Sequence, residues 1–146
     1  MSAAQYPTSP RWSEIREGDA LPAFDLPLTA TVIVAGAIAS RDFMPVHHDR
    51  SYANQQGAPD IFMNILTTNG YVARYITDWA GPDARLEKIS IRLGAPACPD
   101  DVMHFTGSVT STTRRGDEGV VEVELRGINR FGPHVTGTAV LTLPVD

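Results

Sequence analysis

The chain has 146 residues, of which 42% are hydrophobic and 20% charged, the size and composition of one folded domain rather than of a disordered chain. Its formal net charge of −5 excludes the clustered Lys and Arg footprint needed for sequence-independent nucleic-acid binding.

Residues 1–10 are polar and interrupted by Pro7 and Pro10, without a periodic apolar face to bury, and are expected to form a flexible N-terminal arm before a single domain over 11–146. They also lack the charged-then-apolar pattern of a secretory leader, and no apolar run approaches the roughly 20 residues that span a bilayer. With one cysteine, Cys98, and hence no internal disulfide, a cytoplasmic protein without membrane contact is expected.

Leu21 to Leu28 holds two prolines and short apolar pieces, which suits an edge strand. Thr31 is a candidate cap for a short helix over 32–40, ending near Arg41, although its β-branched opening leaves strand and helix close in propensity. The clearest element runs from Asp60 to Trp79. Ile61, Phe62, Ile65, Leu66, Val72, Tyr75, Ile76 and Trp79 recur at helical spacing, Asp60 suits the N-cap, and Gly81-Pro82 stops the pattern. Gly70 costs this helix about 1 kcal/mol relative to alanine, which predicts close approach of a sheet or ligand there.

From Leu86 onward the texture is that of strands: 89–93, 102–112, 120–129 and 135–143, separated by turn residues. Glu122, Glu124 and Arg126 alternate with Val121, Val123 and Leu125, the period of a sheet with one wet face. One long helix followed by about four antiparallel strands predicts an α+β fold, a curved sheet wrapped around a central helix in the hot-dog shape. A single such layer leaves a sheet edge and a helix flank uncovered, so an oligomer is expected.

The candidate chemistry lies in Arg41-Asp-Phe-Met-Pro-Val-His-His-Asp49. In a continuous helix Asp42 and His47 diverge by about 140°. Pro45 breaks helical hydrogen bonding, so a carboxylate at a helix end and an imidazole in the following loop can converge on one small molecule. Such a pair suffices to add water across an α,β-unsaturated thioester, provided a donor stabilises charge growing on the thioester oxygen. Backbone N–H groups near Met63 and Asn64, at the start of the long helix, are candidates for that donor. No cofactor is needed, coenzyme A being part of the substrate.

The same residues also serve as caps and turn formers, and spacing alone does not separate the two roles. His48 reads as a packing or solvated neighbour, and Asp49 as an acid that holds the turn. No metal is expected, because adjacent histidines splay apart and His104 and His134 have no ligand spacing with them. Arg85, Lys88 and Arg92 are candidates for the phosphates of a coenzyme A arm, with Arg92 taken as substrate-binding. Cys98 has no neighbouring base and reads as structural.

These residues resemble the MaoC-like, (R)-specific enoyl-CoA hydratases of the hot-dog fold. Their signature, Asp-x-Asn-Pro-(Leu/Ile)-His-x-Asp, stands here as Asp42-Phe-Met-Pro-Val-His-His-Asp49, with Met44 in place of the asparagine. Trp12 to Pro22 and Ile91 to Asp101 resemble the family's opening and its entry into the sheet. Single-chain members carry His-Gly at the helix start, where this chain has Met63-Asn64, so the oxyanion donor is carried over by position only.

Asp42 to Arg50, Asp60 to Thr67 and Arg74 to Pro82 are similar to the small subunits of actinobacterial steroid enoyl-CoA hydratases. That resemblance implies a larger partner with its own hot-dog domain and a DUF35-type domain, joined in a heterotetramer of two small and two large subunits. It further implies a steroid-CoA with a short unsaturated C17 side chain as substrate, in sterol side-chain degradation. Two alternatives stand beside it: a hot-dog acyl-CoA thioesterase acting through Asn64, and a non-catalytic subunit that completes a partner's pocket.

Overall fold

In the computed structural model, which describes residues 8–146, the chain runs through β1 (Phe24–Leu28), α1 (Ala30–Ala39), α2 (Arg50–Gln55) and α3 (Ile65–Ala80). It then forms β2 (Arg85–Leu93), β3 (Asp101–Arg115), β4 (Glu118–Asn129) and β5 (Gly132–Pro144). Short 3₁₀ turns occupy Trp12–Glu14 and Pro45–His47. The five strands form one antiparallel sheet in the order β1-β3-β4-β5-β2, which leaves β1 and β2 at its edges. The expected edge strand is therefore β1, and Pro27 is tolerated there because an edge position need not donate to the ladder.

The strand alternation does what it predicts. Val121, Val123 and Leu125 are buried while Glu122, Glu124 and Arg126 are exposed, so one face of the sheet carries the core. That face closes over α3, whose buried side is Thr68, Val72, Tyr75, Ile76 and Ala80. Phe105 of β3 stacks on Phe24 at 5.8 Å and meets Tyr75 at 5.7 Å, binding β1, β3 and α3 into one layer. Each large apolar side chain so buried contributes about 1.5–3 kcal/mol. The arrangement is the expected α+β hot-dog, a curved sheet around one central helix.

Both helix starts differ from the sequence reading. The first helix is capped by Thr29, not Thr31, its hydroxyl accepting the Val32 N–H at 3.1 Å. The long helix begins at Ile65, not after Asp60, and Asn64 is its N-cap. Residues 61–64 are held out of the helix by tertiary bonds: Met63 N–H donates to the Ala97 carbonyl at 2.9 Å and Phe62 N–H to that of Val46 at 3.3 Å. Asp60 instead pairs with Arg50 at 2.9 Å. Ile65 and Leu66, which fit the helical spacing, are 52% exposed.

No strand approaches Gly70, since a Cβ there meets nothing within 4 Å; of the two expected neighbours only the sheet is excluded, and Gly70 lines an open groove between α1 and α3. The close approach is at Gly36 of α1, where a Cβ would fall 2.7 Å from Thr67 Cγ2 of α3. Of the expected arm, residues 1–7 lie outside the described residues, whereas Ser9 is docked at the end of α3, accepting the Asp83 N–H at 2.8 Å. No helix among the described residues is long and apolar enough to cross a membrane.

Candidate active site

The site forms where α1 ends, because the chain reverses there without a glycine. Arg41 takes a left-handed conformation, φ 57°, and the N–H of Asp42 closes back on the Ala37 carbonyl at 2.9 Å. Pro45 then opens a single 3₁₀ turn that delivers His47 to the interior, and Asp49 caps α2 by accepting the Tyr52 N–H at 3.0 Å. The turn-holding role expected of Asp49 is thus its observed one.

These two bends bring His47 Nε2 to 3.2 Å from Asp42 Oδ2. The Asp42 side chain is 24% exposed and that of His47 is 7% exposed, so the pair sits at a surface opening with the imidazole behind the carboxylate. His47 Nδ1 lies 2.6 Å from the Phe62 carbonyl, and a carbonyl only accepts, so Nδ1 carries a hydrogen whether or not Nε2 does. Nε2 is therefore the nitrogen that faces Asp42 and can exchange a proton there. The edge of the His47 ring also packs against Phe62 at 5.1 Å, which fixes its plane.

Asn64 organises the carboxylate. Its Oδ1 accepts the Thr67 N–H at 3.0 Å, which assigns the amide orientation. Its Nδ2 then donates to Asp42 Oδ2 at 3.0 Å and to Ser40 Oγ at 2.9 Å. This hydrogen bond is the main cause that holds the Asp42 carboxyl below its ordinary value; partial burial opposes it, and the Met44 N–H and His47 add to it. Asp42 is thus maintained as a carboxylate beside the imidazole.

Of the expected backbone donors, Met63 is not one, because its N–H is already taken by Ala97 and its side chain is buried. The N–H groups of Asn64, Ile65 and Leu66 open α3 with no acceptor among the described residues. Arg92 is not brought to this site: it is exposed and alternates along β2 with Ile91, which packs on the core, so it occupies the opposite face of the sheet. Arg85 is engaged with Glu87 and Glu118. Cys98 is fully buried, and burial pushes its thiol up, away from nucleophilic use. No group of three or more His, Cys, Asp or Glu side chains among the described residues is placed to hold a metal.

Sequence reasoning missed the side-chain role of Asn64 and the buried pair Thr68–His134 beneath it. An N-cap signal was available at Asn64, but three residues before the cap Ile61 already fit the helical period. Around Asp42 lie exposed Phe43 (66%), Met44 (53%) and Ile38 (57%), and a groove of about 360 Å³ runs between α1 and α3 from Ser40 to Arg74.

The MaoC like domain matches residues 17–129 of the chain. The chain belongs to the MaoC-like domain family. It is 46% identical over 126 residues to the beta subunit of 3-oxo-4,17-pregnadiene-20-carboxyl-CoA hydratase of Mycobacterium tuberculosis, covering 86% of this chain and 95% of that one. The crystal structure of the ChsH1-ChsH2 complex from Mycobacterium tuberculosis superposes with a TM-score of 0.82 at 45% identity, over 88% of this chain and 98% of that chain. The R-hydratase PhaJ1 from Pseudomonas aeruginosa shares the fold, with a TM-score of 0.82 at 19% identity over 93% of this chain and 86% of that one. Within this MaoC-like chain, Asp42, His47 and Asn64 all fall inside the matched segment.

Proposed function

We propose that this MaoC-like chain is the acid/base subunit of an enoyl-CoA hydratase that adds water across the α,β double bond of an acyl-CoA, with Asp42 and His47 as its catalytic pair. The observation that carries the reading is the 3.2 Å approach of His47 Nε2 to Asp42 Oδ2 at a surface opening. A water in hydrogen-bond reach of both atoms is held by groups that can take and return one proton. As its O–H bond breaks, the C–O bond forms at Cβ and the π electrons move towards the thioester carbonyl. A proton delivered by the pair then closes the new C–H bond at Cα. The N–H groups of Asn64, Ile65 and Leu66, which have no acceptor among the described residues, supply the positive field for the transient negative charge on the thioester oxygen.

We further propose a steroid-CoA with a short unsaturated C17 side chain as substrate, a reading supported by the pregnadiene-carboxyl-CoA in the name of the 46% identical hydratase beta subunit, and a larger hot-dog and DUF35-type subunit as partner in a heterotetramer. Ile38, Phe43, Met44, Ile65 and Leu66 supply an exposed apolar rim around the pair, which supports a covering partner. Coenzyme A belongs to the substrate in this reading, and the cell compartment is the cytoplasm. The thioesterase alternative loses its agent, because both Nδ2 hydrogens and the Oδ1 of Asn64 are engaged within the fold.

The test is substitution in the protein purified with its partner from the native host. Asp42→Asn and His47→Ala should each lower hydration by about 10²–10⁴-fold while the complex still forms. Turnover at the wild-type rate in either variant would move the chemistry to other residues, and coenzyme A release from a saturated acyl-CoA would favour hydrolysis.

A further inference from the structure

Behind the catalytic opening lies a second polar pair that the reaction as described does not use. His134 and Thr68 are both buried, on elements (α3 and β5) most of whose other buried residues belong to the hydrophobic core. His134 Nε2 and Thr68 Oγ1 are 2.8 Å apart, and His134 Nδ1 is 2.6 Å from the Ala95 carbonyl. Because that carbonyl only accepts, Nδ1 carries a hydrogen, and in the neutral ring Nε2 accepts the Thr68 hydroxyl proton. Burial favours that neutral ring.

The pair is anchored on one side and connected to the site on the other. The His134 carbonyl accepts the Gly94 N–H at 2.7 Å, and the Pro133 carbonyl accepts that of Ala95 at 2.9 Å, so ring and loop form one unit. Two residues on, the Ala97 carbonyl holds the Met63 N–H at 2.9 Å. On the other side, the Thr68 N–H donates to the Asn64 carbonyl at 3.1 Å, while its single hydroxyl proton is committed to His134. The side chain of Asn64 in turn grips Asp42.

We propose that His134, acting through the Thr68 hydroxyl, is a positioning residue for the Asp42–His47 pair: it fixes the first turn of α3 and so the place from which Asn64 holds the carboxylate. This rests on the hydratase reading above. A purely structural role gives little reason for a polar pair here. Two apolar side chains of the same shape fill such a place at nearly equal stability, whereas a single orphaned partner is costly. What the pair adds is direction, since a hydrogen bond fixes the helix start along one line and apolar packing does not.

The experiment compares Thr68→Val, Thr68→Ser and the double variant Thr68→Val/His134→Leu in the full chain purified from the native host, with Asp42→Asn as reference. Thr68→Val should lower kcat about tenfold with KM for the enoyl-CoA unchanged, because the carboxylate is displaced while the binding surface is kept. Thr68→Ser should restore kcat. The double variant should melt near the wild-type temperature and still show the low kcat. A wild-type kcat in Thr68→Val, or a loss that Thr68→Ser does not restore, would overturn the positioning role. If Asp42→Asn itself hydrates normally, the hydratase reading fails first; if it is inactive and Thr68→Val is normal, only the positioning role fails.

Discussion

The amide of Asn64 lies 3.0 Å from Asp42 Oδ2 through its nitrogen and 3.0 Å from the Thr67 N–H through its oxygen, so one side chain both caps α3 and fixes the carboxylate. Helix initiation and carboxylate placement are therefore a single structural event. Asn64→Asp separates the two functions, because aspartate caps a helix as well as asparagine does. It sets a second carboxylate against Asp42 in place of the hydrogen-bond donor that keeps its pKa down. Two carboxylates sharing a site cannot both ionise freely, so the Asp42 pKa should rise. The acid limb of kcat/KM against pH should move to higher pH accordingly. A limb that stays in place in this variant would show that Asp42 is not the group titrating there.

Gly36 and Gly70 look alike in sequence, both inside helices, and should respond in opposite directions to alanine. At Gly70 the new Cβ meets nothing within 4 Å, so the helix gains its propensity term, about 1 kcal/mol. At Gly36 the new Cβ meets the Thr67 side chain, and overpacking of about 1–3 kcal/mol outweighs that gain. Thermal melting should place Gly70→Ala above the wild type and Gly36→Ala below it, a separation of several degrees at about 2–4 °C per kcal/mol. Gly36→Ala should also lose activity, since pushing α1 from α3 moves Ser40 and Asp42 away from Asn64. Equal melting temperatures would mean that the α1–α3 contact is looser than the structure has it.

His134 should make the fold sensitive to mild acid. Burial lowers its pKa from 6.5 in the folded chain, opposed by the bond to Ala95, so the unfolded chain binds the proton more readily. Stability is then complete above about 6.5 and falls as pH drops through that value towards the folded pKa. Melting temperatures from pH about 7.5 down to about 5.5 should decline, and His134→Gln, which has no proton to take up, should flatten the slope. The same slope in wild type and variant would assign the acid sensitivity to other groups.

Four of the strands were legible in the sequence because alternation is a local property: Val121, Val123 and Leu125 declare one face of β4 without reference to any other element. The pairing of Asp42 with His47 was legible for a similar reason, since Pro45 dictates a bend wherever the chain goes. The start of α3 was not. Ile61 and Phe62 fit the helical period, and Asp60 is as good a cap as Asn64; what excludes residues 61–64 from the helix is the claim of the Ala97 and Val46 carbonyls on the Met63 and Phe62 N–H groups. Those partners come from other segments, so no local pattern announces them.

Composition and periodicity thus determined the sheet and a central helix, and Pro45 allowed Asp42 and His47 to meet, while the resemblance to the MaoC-like signature singled them out. Tertiary structure alone decided which residue caps that helix, that Met63 has no free N–H to offer, that Arg92 faces the other side of the sheet, and that Thr68 and His134 stand behind the pair. Side-chain periodicity is set by the backbone's own repeat, whereas the destination of a hydrogen bond is set by whichever distant group folding brings within about 3 Å.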